Sequence, residues 1–281
     1  MCSVLVLDRL TDERNALSRA ERLVAEVVAG DPTLVAFGTV AQLAAAAGTS
    51  PPTVVRMARR LGYGGFGELQ AAVQADLAGR LSPAAERIRA RPPAAPLAAA
   101  LAADLENVHA TLSSVDEATF TAAVRTLVRS RNVVVTAADE LQGVARELAL
   151  QLGSLRAGVQ MAPASTVGLG RAVSALDQRS CLVALDVRRY ERAVAEAGRL
   201  ATDRGAAVVA LTDSPLSPLA ASAGHVFSVA ARGPGPFDSH VGFLSLANAL
   251  LAGAAAALRT TAGDRLAAAE AAWSELDPFT T

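Results

Sequence analysis

Cysteine, lysine and aromatic residues are scarce or absent in this chain of 281 residues. The two cysteines, Cys2 and Cys181, stand far apart and outside any Cys/His cluster with the spacing of metal ligands. We therefore expect no disulfide framework, no metal site and no bound cofactor. Cys181 lies within the apolar run SCLVALD and is predicted to be a small buried hydrophobe. Because aromatic residues make up only 4% of the chain, the cores must be built from Leu, Val and Ala.

The sequence also lacks the patterns of a signal peptide and of a membrane span. The first residues, MCSVLVLDRL, contain neither a basic segment nor a cleavage site. The longest Ala/Leu tract, residues 244–258, is too short to cross a bilayer as a helix. We expect a soluble, cytoplasmic protein without a membrane partner.

All 26 basic residues are arginine, which we attribute to a codon-composition bias of the source genome. With 27 acidic residues the net charge is −1, so the chain as a whole is not a polycation. The exception is the stretch 32–67, which contains Arg56, Arg59 and Arg60 and no acidic residue. This stretch is predicted to form a locally basic surface.

The length and the change of pattern along the chain predict two domains joined by a linker. Residues 1–81 have the periodicity and turn signals of an all-α domain. Residues 82–96 include the proline-rich run RARPPAAP, which has no apolar period and is typical of a linker. Residues 97–281 alternate helical stretches with β-branched runs and are predicted to form an α/β domain.

Caps and turn residues mark four helices in the N-terminal domain. Ser18 and Glu21 form a capping box at the start of the first, and Pro32 is predicted to end it. Gly48 supplies a turn between the second and third, and Ser50 is an N-cap followed by proline. The predicted spans are 18–30, 39–47, 50–61 and 66–81.

The C-terminal domain reads as strands that alternate with helices of roughly 10–15 residues, which predicts βαβ units. The predicted strands are 133–137, 158–162, 181–187, 206–212 and 225–229. We expect a doubly wound parallel sheet of about five strands. Helices 97–112 and 116–130 precede it, and helices 240–258 and 263–276 close the chain, with Asp238 or Ser239 as an N-cap.

The helix predicted over 50–61 has two unlike faces. At 100° per residue, Val54, Ala58 and Leu61 form a narrow stripe toward the core. Opposite them we expect an exposed face of one hydroxyl and three guanidiniums, Thr53, Arg56, Arg59 and Arg60. Guanidiniums bind phosphate oxygens or the O6 and N7 of guanine. Together with the hydroxyls of Thr39 and Ser50 at the helix starts, this face predicts helix-turn-helix binding to an operator in double-stranded DNA.

The run VAFGTVAQLAAAAGTSPPTVVRMARRLGYGGFGELQ closely resembles the N-terminal domain of the RpiR family of bacterial regulators. The shared elements are Ala47-Gly48, Ser50, Thr53, Val54, Arg56 and Leu61-Gly62-Tyr63-Gly65-Phe66. Residues 97–281 resemble the family's sugar-isomerase-type (SIS) domain in strand–helix order and in the segment VVALTDSPLSPLAASAGHVFSV. The resemblance implies a regulator whose SIS domain binds a phosphosugar, dimerises and adjusts DNA affinity.

Ligands of open parallel sheets bind beyond the carboxyl ends of the strands, where the strand order reverses. The predicted ligand-binding residues are those of the loops after the first and third strands, Thr136, Asp139, Asp186, Arg188, Arg189 and Tyr190. The family pattern has Gly-x-Gly-x-Ser in the first loop and Ser-x-Ser-Gly-x-Thr in the second, and this chain has neither. Its carboxylates would repel a phosphate, so a monocarboxylate or sugar acid fits better than a phosphosugar. Alternatively, both arginines are solvated residues at the start of a helix.

Three functions remain open from sequence. The first is a regulator that responds to a small anionic metabolite, a sugar phosphate or sugar acid, and is not an enzyme. The second is a phosphosugar isomerase, which needs a base beside a phosphate cradle. The third is a regulator whose SIS-like domain only dimerises. In each regulator case we expect a homodimer or homotetramer, because one recognition helix makes few contacts.

Overall fold

The computed structural model describes residues 17–30, 32–81, 84–89, 93–215 and 217–276. The chain divides into two compact units, Met1–Pro83 and Ala84–Thr281. We refer to them, by the roles expected from sequence, as the DNA-binding unit and the effector unit.

The DNA-binding unit is helical. Its described helices are α1 (Arg19–Gly30), α2 (Pro32–Phe37), α3 (Val40–Ala46), α4 (Pro51–Arg60) and α5 (Phe66–Leu81). The four helices expected from sequence are confirmed, whereas α2 was not predicted. Pro32 was expected only to end the first helix, but it is also the first residue of the next one. Proline is well tolerated there because the first helical N–H has no partner within the helix.

Local hydrogen bonds define the ends of these helices. The Ser18 N–H donates to the Glu21 carboxylate at 2.8 Å, and the Glu21 N–H donates to Ser18 Oγ at 3.4 Å, which confirms the capping box. Gly48 lies between α3 and α4 with a φ of +58°, in the left-handed region that favours glycine. The buried core of the unit includes Leu43, Val54, Met57, Ala58, Leu61 and Leu69.

The effector unit is an α/β fold. Its helices are α6 (Ala84–Arg87), α7 (Pro96–Ser113), α8 (Glu117–Arg129), α9 (Gln142–Leu155), α10 (Thr166–Ser174), α11 (Arg192–Asp203), α12 (Val241–Ala257) and α13 (Arg259–Leu276). Its strands are β1 (Asn132–Ala137), β2 (Val159–Met161), β3 (Ser180–Asp186), β4 (Ala207–Thr212) and β5 (His225–Ser228). Short 3-10 turns occupy Asp139–Leu141 and Ala220–Ser222. The short helix α6 lies within the segment that the sequence suggested as a linker.

The five strands are all parallel in the order β2-β1-β3-β4-β5, which confirms the predicted doubly wound sheet. The order reverses between β1 and β3, so their carboxyl ends flank the switch point. Helices α8, α9 and α12 cover one face, and α10 and α11 cover the other. Cys181 is buried in the first of these cores, as predicted, and burial raises the pKa of its thiol to about 12.

Among the residues described, no helix by itself has the length and apolarity of a membrane span. The bent pair α12 and α13, at 101° to each other, passes that test only when the two helices are taken together.

Candidate DNA-binding and effector sites

Helices α3 and α4, with the turn at Gly48, form the helix-turn-helix. Val54, Ala58 and Leu61 are buried, which confirms the predicted core stripe of α4. Met57 is buried with them, so the stripe is wider than the sequence suggested. The opposite face leaves Arg56, Arg59 and Arg60 exposed to solvent.

The expectation that Thr53 belongs to the exposed face is wrong. Thr53 is only 4% exposed, and its hydroxyl lies 3.0 Å from the Ser50 hydroxyl and accepts a hydrogen bond from Arg56 Nη2 at 3.1 Å. On the helical wheel Thr53 is 40° from Met57, which lies in the core. It therefore lies at the edge of the buried stripe, and its hydroxyl accepts the hydrogen bond that orients Arg56.

Arg59 and Arg60, like Arg56, also contact other parts of the DNA-binding unit. Arg59 Nε donates to the Gly64 carbonyl at 3.4 Å. Arg60 Nε lies 3.4 Å from Glu21 Oε1, and the Glu21 side chain is only 3% exposed. Burial would raise the pKa of Glu21, but hydrogen bonds from Ser18 and the nearby guanidiniums hold it below its ordinary value. Glu21 thus remains ionised and orients Arg60 on the surface.

Two predicted hydroxyls lie at the starts of the two helices. Thr39 is the N-cap of α3, where its Oγ1 accepts from the Gln42 N–H at 3.2 Å within a capping box. Ser50 is the N-cap residue of α4, but its hydroxyl pairs with Thr53 and makes no capping bond. Both residues are exposed, so the helix-turn-helix surface carries polar groups at each helix start.

In the effector unit, β1 and β3 end side by side at the switch point. Thr136 and Asp186 are buried near these ends, at 3% and 0% exposure. The Asp186 carboxylate accepts hydrogen bonds from the N–H groups of Val187 and Glu191. Burial raises the pKa of Asp186 to about 7, the nearby carboxylates of Glu191 and Asp213 add to this increase, and the two hydrogen bonds lower the pKa without offsetting it.

One of the N–H donors expected to receive an anion after β1, that of Asp139, is already paired with a carboxylate. Asp139 is exposed, and its backbone N–H donates to Glu191 Oε1 at 2.7 Å. Asp139 begins the 3-10 turn that leads into α9, so the Glu191 carboxylate lies at the positive end of that helical segment. In the family pattern Ser-x-Ser-Gly-x-Thr, Glu191 stands at the position of the threonine. The loop after β3 therefore places its own anion where the pattern places hydroxyls.

Arg188 is not the open cation that the sequence suggested. Its Nε donates to Asp238 Oδ2 at 2.7 Å, its Nη2 contacts Asp238 Oδ1, and its side chain is 18% exposed. Arg87 Nη1 donates to the same Oδ1 at 2.8 Å. Asp238 is therefore a partner of two guanidiniums and not the predicted N-cap of α12. That position is held by His240, and Ser239 Oγ donates instead to Asp104.

Arg189 and Tyr190 lie in the same loop and point to different surroundings. Helix α11 begins at Arg192, so both arginines precede it and neither starts the helix. Arg189 is exposed with a φ of +66°, at the position where the family pattern has glycine. The Tyr190 hydroxyl donates to Asp213 Oδ1 at 3.0 Å.

Carboxylates outnumber guanidiniums at this edge of the sheet. Burial raises the pKa of Glu140, Arg188 and Arg87 lower it, and Glu191 and Asp213 raise it further. The net result is a pKa above the ordinary value. Within the part of the chain that the structure describes, these carboxylates do not form a group arranged to hold a metal ion.

Buried polar atoms without a hydrogen-bond partner are concentrated in the same region. Of five such atoms among the described residues, four belong to the effector unit: Arg87 Nε, Asp186 Oδ2, Thr212 Oγ1 and His240 Nε2. Thr212 pairs in register with Asp186, and His240 lies two residues after Asp238. Because buried polar groups in proteins nearly always have a partner, this concentration distinguishes the edge as a place suited to a polar ligand.

Two residues of this region, Arg87 and Glu191, were not singled out from sequence, and Asp238 was expected there chiefly as an N-cap. Glu191 could have been identified, because it directly follows the predicted residue Tyr190 and occupies the threonine position of the family pattern. The pairing of Arg87 with Asp238 gave no local signal, because the two residues are 151 positions apart in sequence.

Comparisons with known proteins match both units. A model described as a helix-turn-helix domain of the rpiR family matches residues 4–80, and the SIS domain model matches residues 126–253. The Vibrio vulnificus NanR protein, solved in complex with ManNAc-6P, is 22% identical over 96% of this chain and 98% of its own, with a TM-score of 0.59. That likeness shows the fold alone. The comparison with curated proteins found no match.

A closer relation in sequence is to the sugar isomerase domain of an RpiR transcription factor from Sphaerobacter thermophilus. It is 31% identical, with 96% of its chain and 61% of this one covered and a TM-score of 0.57. The helix-turn-helix at Gly48, the parallel sheet with its switch point between β1 and β3, and these matches agree on one assignment. This chain belongs to the RpiR family of transcription regulators.

Proposed function

We propose that the protein binds operator DNA through α4 and that a small anionic sugar derivative in the effector unit adjusts this binding. The observation that carries the DNA-binding part is the exposed face of α4. Arg56, Arg59 and Arg60 lie on it within the stretch 32–67, which has no carboxylate of its own. A helix of this kind at the second position of a helix-turn-helix enters the major groove.

The experiment for DNA binding begins with an operator selected from fragmented genomic DNA of the source organism by the full-length protein. Fluorescence anisotropy then compares wild type with Arg56→Ala. We expect a loss of about 1–3 kcal/mol in binding free energy with relaxed specificity at the contacted base, because Arg56 is oriented toward solvent by Thr53. Arg22→Ala, at an exposed position of α1, is the matched control and should bind as wild type does. If Arg56→Ala binds the operator as tightly as wild type does, Arg56 does not contact DNA.

For the effector we propose a sugar phosphate or sugar acid whose anionic group contacts Arg188. The supporting observations are the position of Arg188 at the switch point and the unpartnered polar atoms of Asp186 and Thr212 in neighbouring strands. Sugar hydroxyls are suitable partners for such atoms. The Glu191 carboxylate at the Asp139 N–H disfavours a dianionic phosphate at the start of the α9 segment, which supports a singly charged sugar acid over a phosphosugar.

Calorimetry on the full-length protein tests this proposal with sugar acids, sugar phosphates and the corresponding neutral sugars. The variants are Arg188→Ala, Arg189→Ala and the double substitution, with Arg171→Ala on α10 as an exposed control. We expect an anionic sugar to bind best and the Arg188 variants to lose about tenfold or more in affinity. Stronger binding of a neutral sugar, or equal binding by the double variant, contradicts the proposal. If no sugar derivative binds, the unit serves only dimerisation.

The isomerase alternative rests on one observation, the Asp186 carboxyl with a pKa of about 7, which suits a general base. Two features argue against it. Asp186 is fully buried, and the backbone donor that would help to hold a phosphate is paired with Glu191. We therefore propose that the unit senses its ligand and does not convert it. A proton-exchange assay of bound sugar phosphates in deuterated water would reveal isomerase chemistry.

We further propose that the regulator is at least a homodimer. Leu97, Leu101 and Leu105 follow one another at intervals of four residues on α7, and they are 86%, 61% and 63% exposed. This stripe is an apolar surface of the kind that a second copy covers. Sedimentation of Leu101→Arg should show a shift toward monomer, whereas Val167→Arg, at an equally exposed position on α10, should not. A monomeric wild type at micromolar concentration would contradict the proposal.

A further inference from the structure

A buried carboxylate from outside the helix-turn-helix contacts the end of α4. Glu21 belongs to α1, and its side chain is only 3% exposed, whereas the side chain of its partner Arg60 is 53% exposed. Glu21 Oε2 accepts from the Ser18 N–H at 2.8 Å, and Oε1 lies 3.4 Å from Arg60 Nε. One oxygen is therefore engaged at the start of α1 and the other at the last residue of α4. Glu21 links the capping box to the DNA-binding helix.

The charge of Glu21 acts on two guanidiniums of α4. Burial raises the pKa of this carboxyl, but hydrogen bonds at the start of α1 and the charges of Arg60 and Arg56 hold it below its ordinary value. Glu21 is therefore ionised at neutral pH. The stretch 32–67 has no carboxylate of its own, so the fold brings this one to the arginines from α1.

A second carboxylate near the end of α4 is placed differently. Glu68, on α5, is exposed, and its Oε2 accepts from the Gly64 N–H at 2.7 Å. Water and salt screen an exposed carboxylate, so its attraction for a nearby guanidinium is weak. Glu21 is mostly shielded from solvent, and its hold on Arg60 is correspondingly stronger.

This hold restricts where the Arg60 guanidinium can go. Arg60 can leave Glu21 only if an ionised, buried carboxylate loses its nearest guanidinium, which is unfavourable. An arginine without such a partner can follow phosphate oxygens in many orientations of the protein on DNA. Contacts of that kind supply nearly all of the sequence-independent affinity. Arg60 is thereby withheld from loose contacts and can meet a phosphate only from its held orientation.

We propose that Glu21 is a specificity-determining residue, which keeps Arg60 from neutralising phosphates of non-operator DNA. In the operator complex, phosphate contacts fix the orientation of the protein, and Arg60 in its held orientation supplies one of them. The inference rests on the proposed DNA binding through α4 and goes beyond it. It makes one contact of α4 depend on how the helix is seated.

The test uses the full-length protein, the selected operator and a scrambled duplex of the same length and composition, with fluorescence anisotropy at several salt concentrations. Glu21→Gln keeps the shape of the side chain and removes its charge. We expect it to bind the scrambled duplex about fivefold more tightly, with a slope of log affinity against log salt steeper by about 0.9, because one more phosphate is neutralised. Operator affinity should change by less than about twofold, because the Arg60 contact already exists there.

Glu26→Gln is the matched control, because it removes the same charge from an exposed position of α1. It should change the affinity for either duplex by less than about twofold. Tightening of both duplexes to the same extent by Glu21→Gln would mean that Glu21 acts only as a general negative charge, and the inference would be wrong.

Arg60→Gln tests the inference with Glu21 intact, and it decides the question if melting temperatures show that Glu21→Gln does not fold. Arg60→Gln should weaken operator binding about fivefold and leave the scrambled duplex unchanged. In the double variant, the change at Glu21 should no longer tighten binding to the scrambled duplex.

Equal weakening of both duplexes by Arg60→Gln, or tightening that persists in the double variant, overturns the inference. If Arg56→Ala weakens operator binding in the same experiments, the proposed DNA binding through α4 still stands. If neither Arg56→Ala nor Arg60→Gln alters binding to either duplex, the proposed DNA surface and the inference are both wrong.

Discussion

Arg56 on α4 and Arg188 in the effector unit differ in how they are held. On α4, Arg56 is exposed and its partner, Thr53, is three residues away and neutral. In the effector unit, Arg188 is largely buried and its partner, Asp238, is a carboxylate 50 residues away. The first kind of arginine leaves its charge available to a ligand, whereas the second is already engaged by the fold. The role of an arginine is therefore decided by the carboxylates that the tertiary structure brings to it, and not by its place in a loop or helix.

The largest effect is expected from Asp238→Ala. Removal of the carboxylate leaves two mostly buried guanidiniums without their counter-charge, which should lower the free energy of unfolding of the effector unit by about 3–5 kcal/mol. Urea unfolding of the full chain measures it. Asp264→Ala removes an exposed carboxylate from α13 and should change stability by less than about 0.5 kcal/mol. If Asp238→Ala lowers the free energy of unfolding no more than Asp264→Ala does, Asp238 does not stabilise the two guanidiniums. Arg188 would then be held no more firmly than Arg56.

A second prediction concerns pH and Asp186. Its pKa is about 7 in the fold and 3.8 ordinarily, so the folded state favours the protonated carboxyl. Its contribution to stability is fully present below about pH 4 and is lost as the pH rises through about 7. One pKa unit corresponds to about 1.4 kcal/mol, so a few kcal/mol should disappear over this interval.

Asp186→Asn cannot ionise, and it should remove most of that decline when the effector unit is unfolded at pH 5 and pH 8. The DNA-binding unit should not change, because its buried carboxylate, Glu21, has a lowered pKa and remains ionised throughout. A pH dependence that persists in Asp186→Asn would assign it to another group, such as Glu140.

A third prediction concerns the turn of the helix-turn-helix. Gly48 has a φ of +58°, and a Cβ there would meet nothing within 4 Å. Gly48→Ala should therefore cost about 1–2 kcal/mol through backbone conformation alone. Gly67→Ala, in α5 and equally uncrowded, should be neutral or slightly stabilising. Equal melting temperatures for the two variants would contradict the role given to Gly48.

The smallest effect is expected at Arg189, the one described non-glycine residue with a positive φ. Arg189→Gly should stabilise the effector unit by about 0.5–1 kcal/mol, because glycine adopts this conformation without steric cost. Arg189→Ala keeps the backbone cost and should be close to wild type in thermal unfolding. If both variants lose effector binding in the calorimetric test, Arg189 is a ligand residue after all and resembles the arginines of α4.

Much of the fold follows from local signals in the sequence. The capping box at Ser18, the glycine turn at Gly48 and the β-branched runs place their elements correctly, because each depends on neighbouring residues. Helix α2 was missed because a proline that ends one helix can begin another. Thr53 was misplaced because the buried stripe includes Met57, and the width of a stripe depends on what packs against it.

The switch point of the sheet was predictable from sequence, whereas the pairing of the charged side chains around it was not. The switch point follows from strand order, which repeated βαβ units nearly determine. The pairing of Arg188 with Asp238 and Arg87 depends on how three distant segments meet. No periodicity or motif in a single sequence indicates contacts between such distant segments. The pairing of the charges at this site is therefore evident only from the structure.

The Glu191 carboxylate occupies the Asp139 N–H, which is a donor that a bound anion would otherwise use. A group tethered within the loop acts at an effective concentration on the order of millimolar or above. A free anion that seeks the same N–H must exceed this threshold or gain additional contacts elsewhere on the sheet edge. If the loop binds the effector as proposed, Glu191 therefore selects against simple anions and favours a ligand that has both an anionic group and a body with further contacts to the sheet edge.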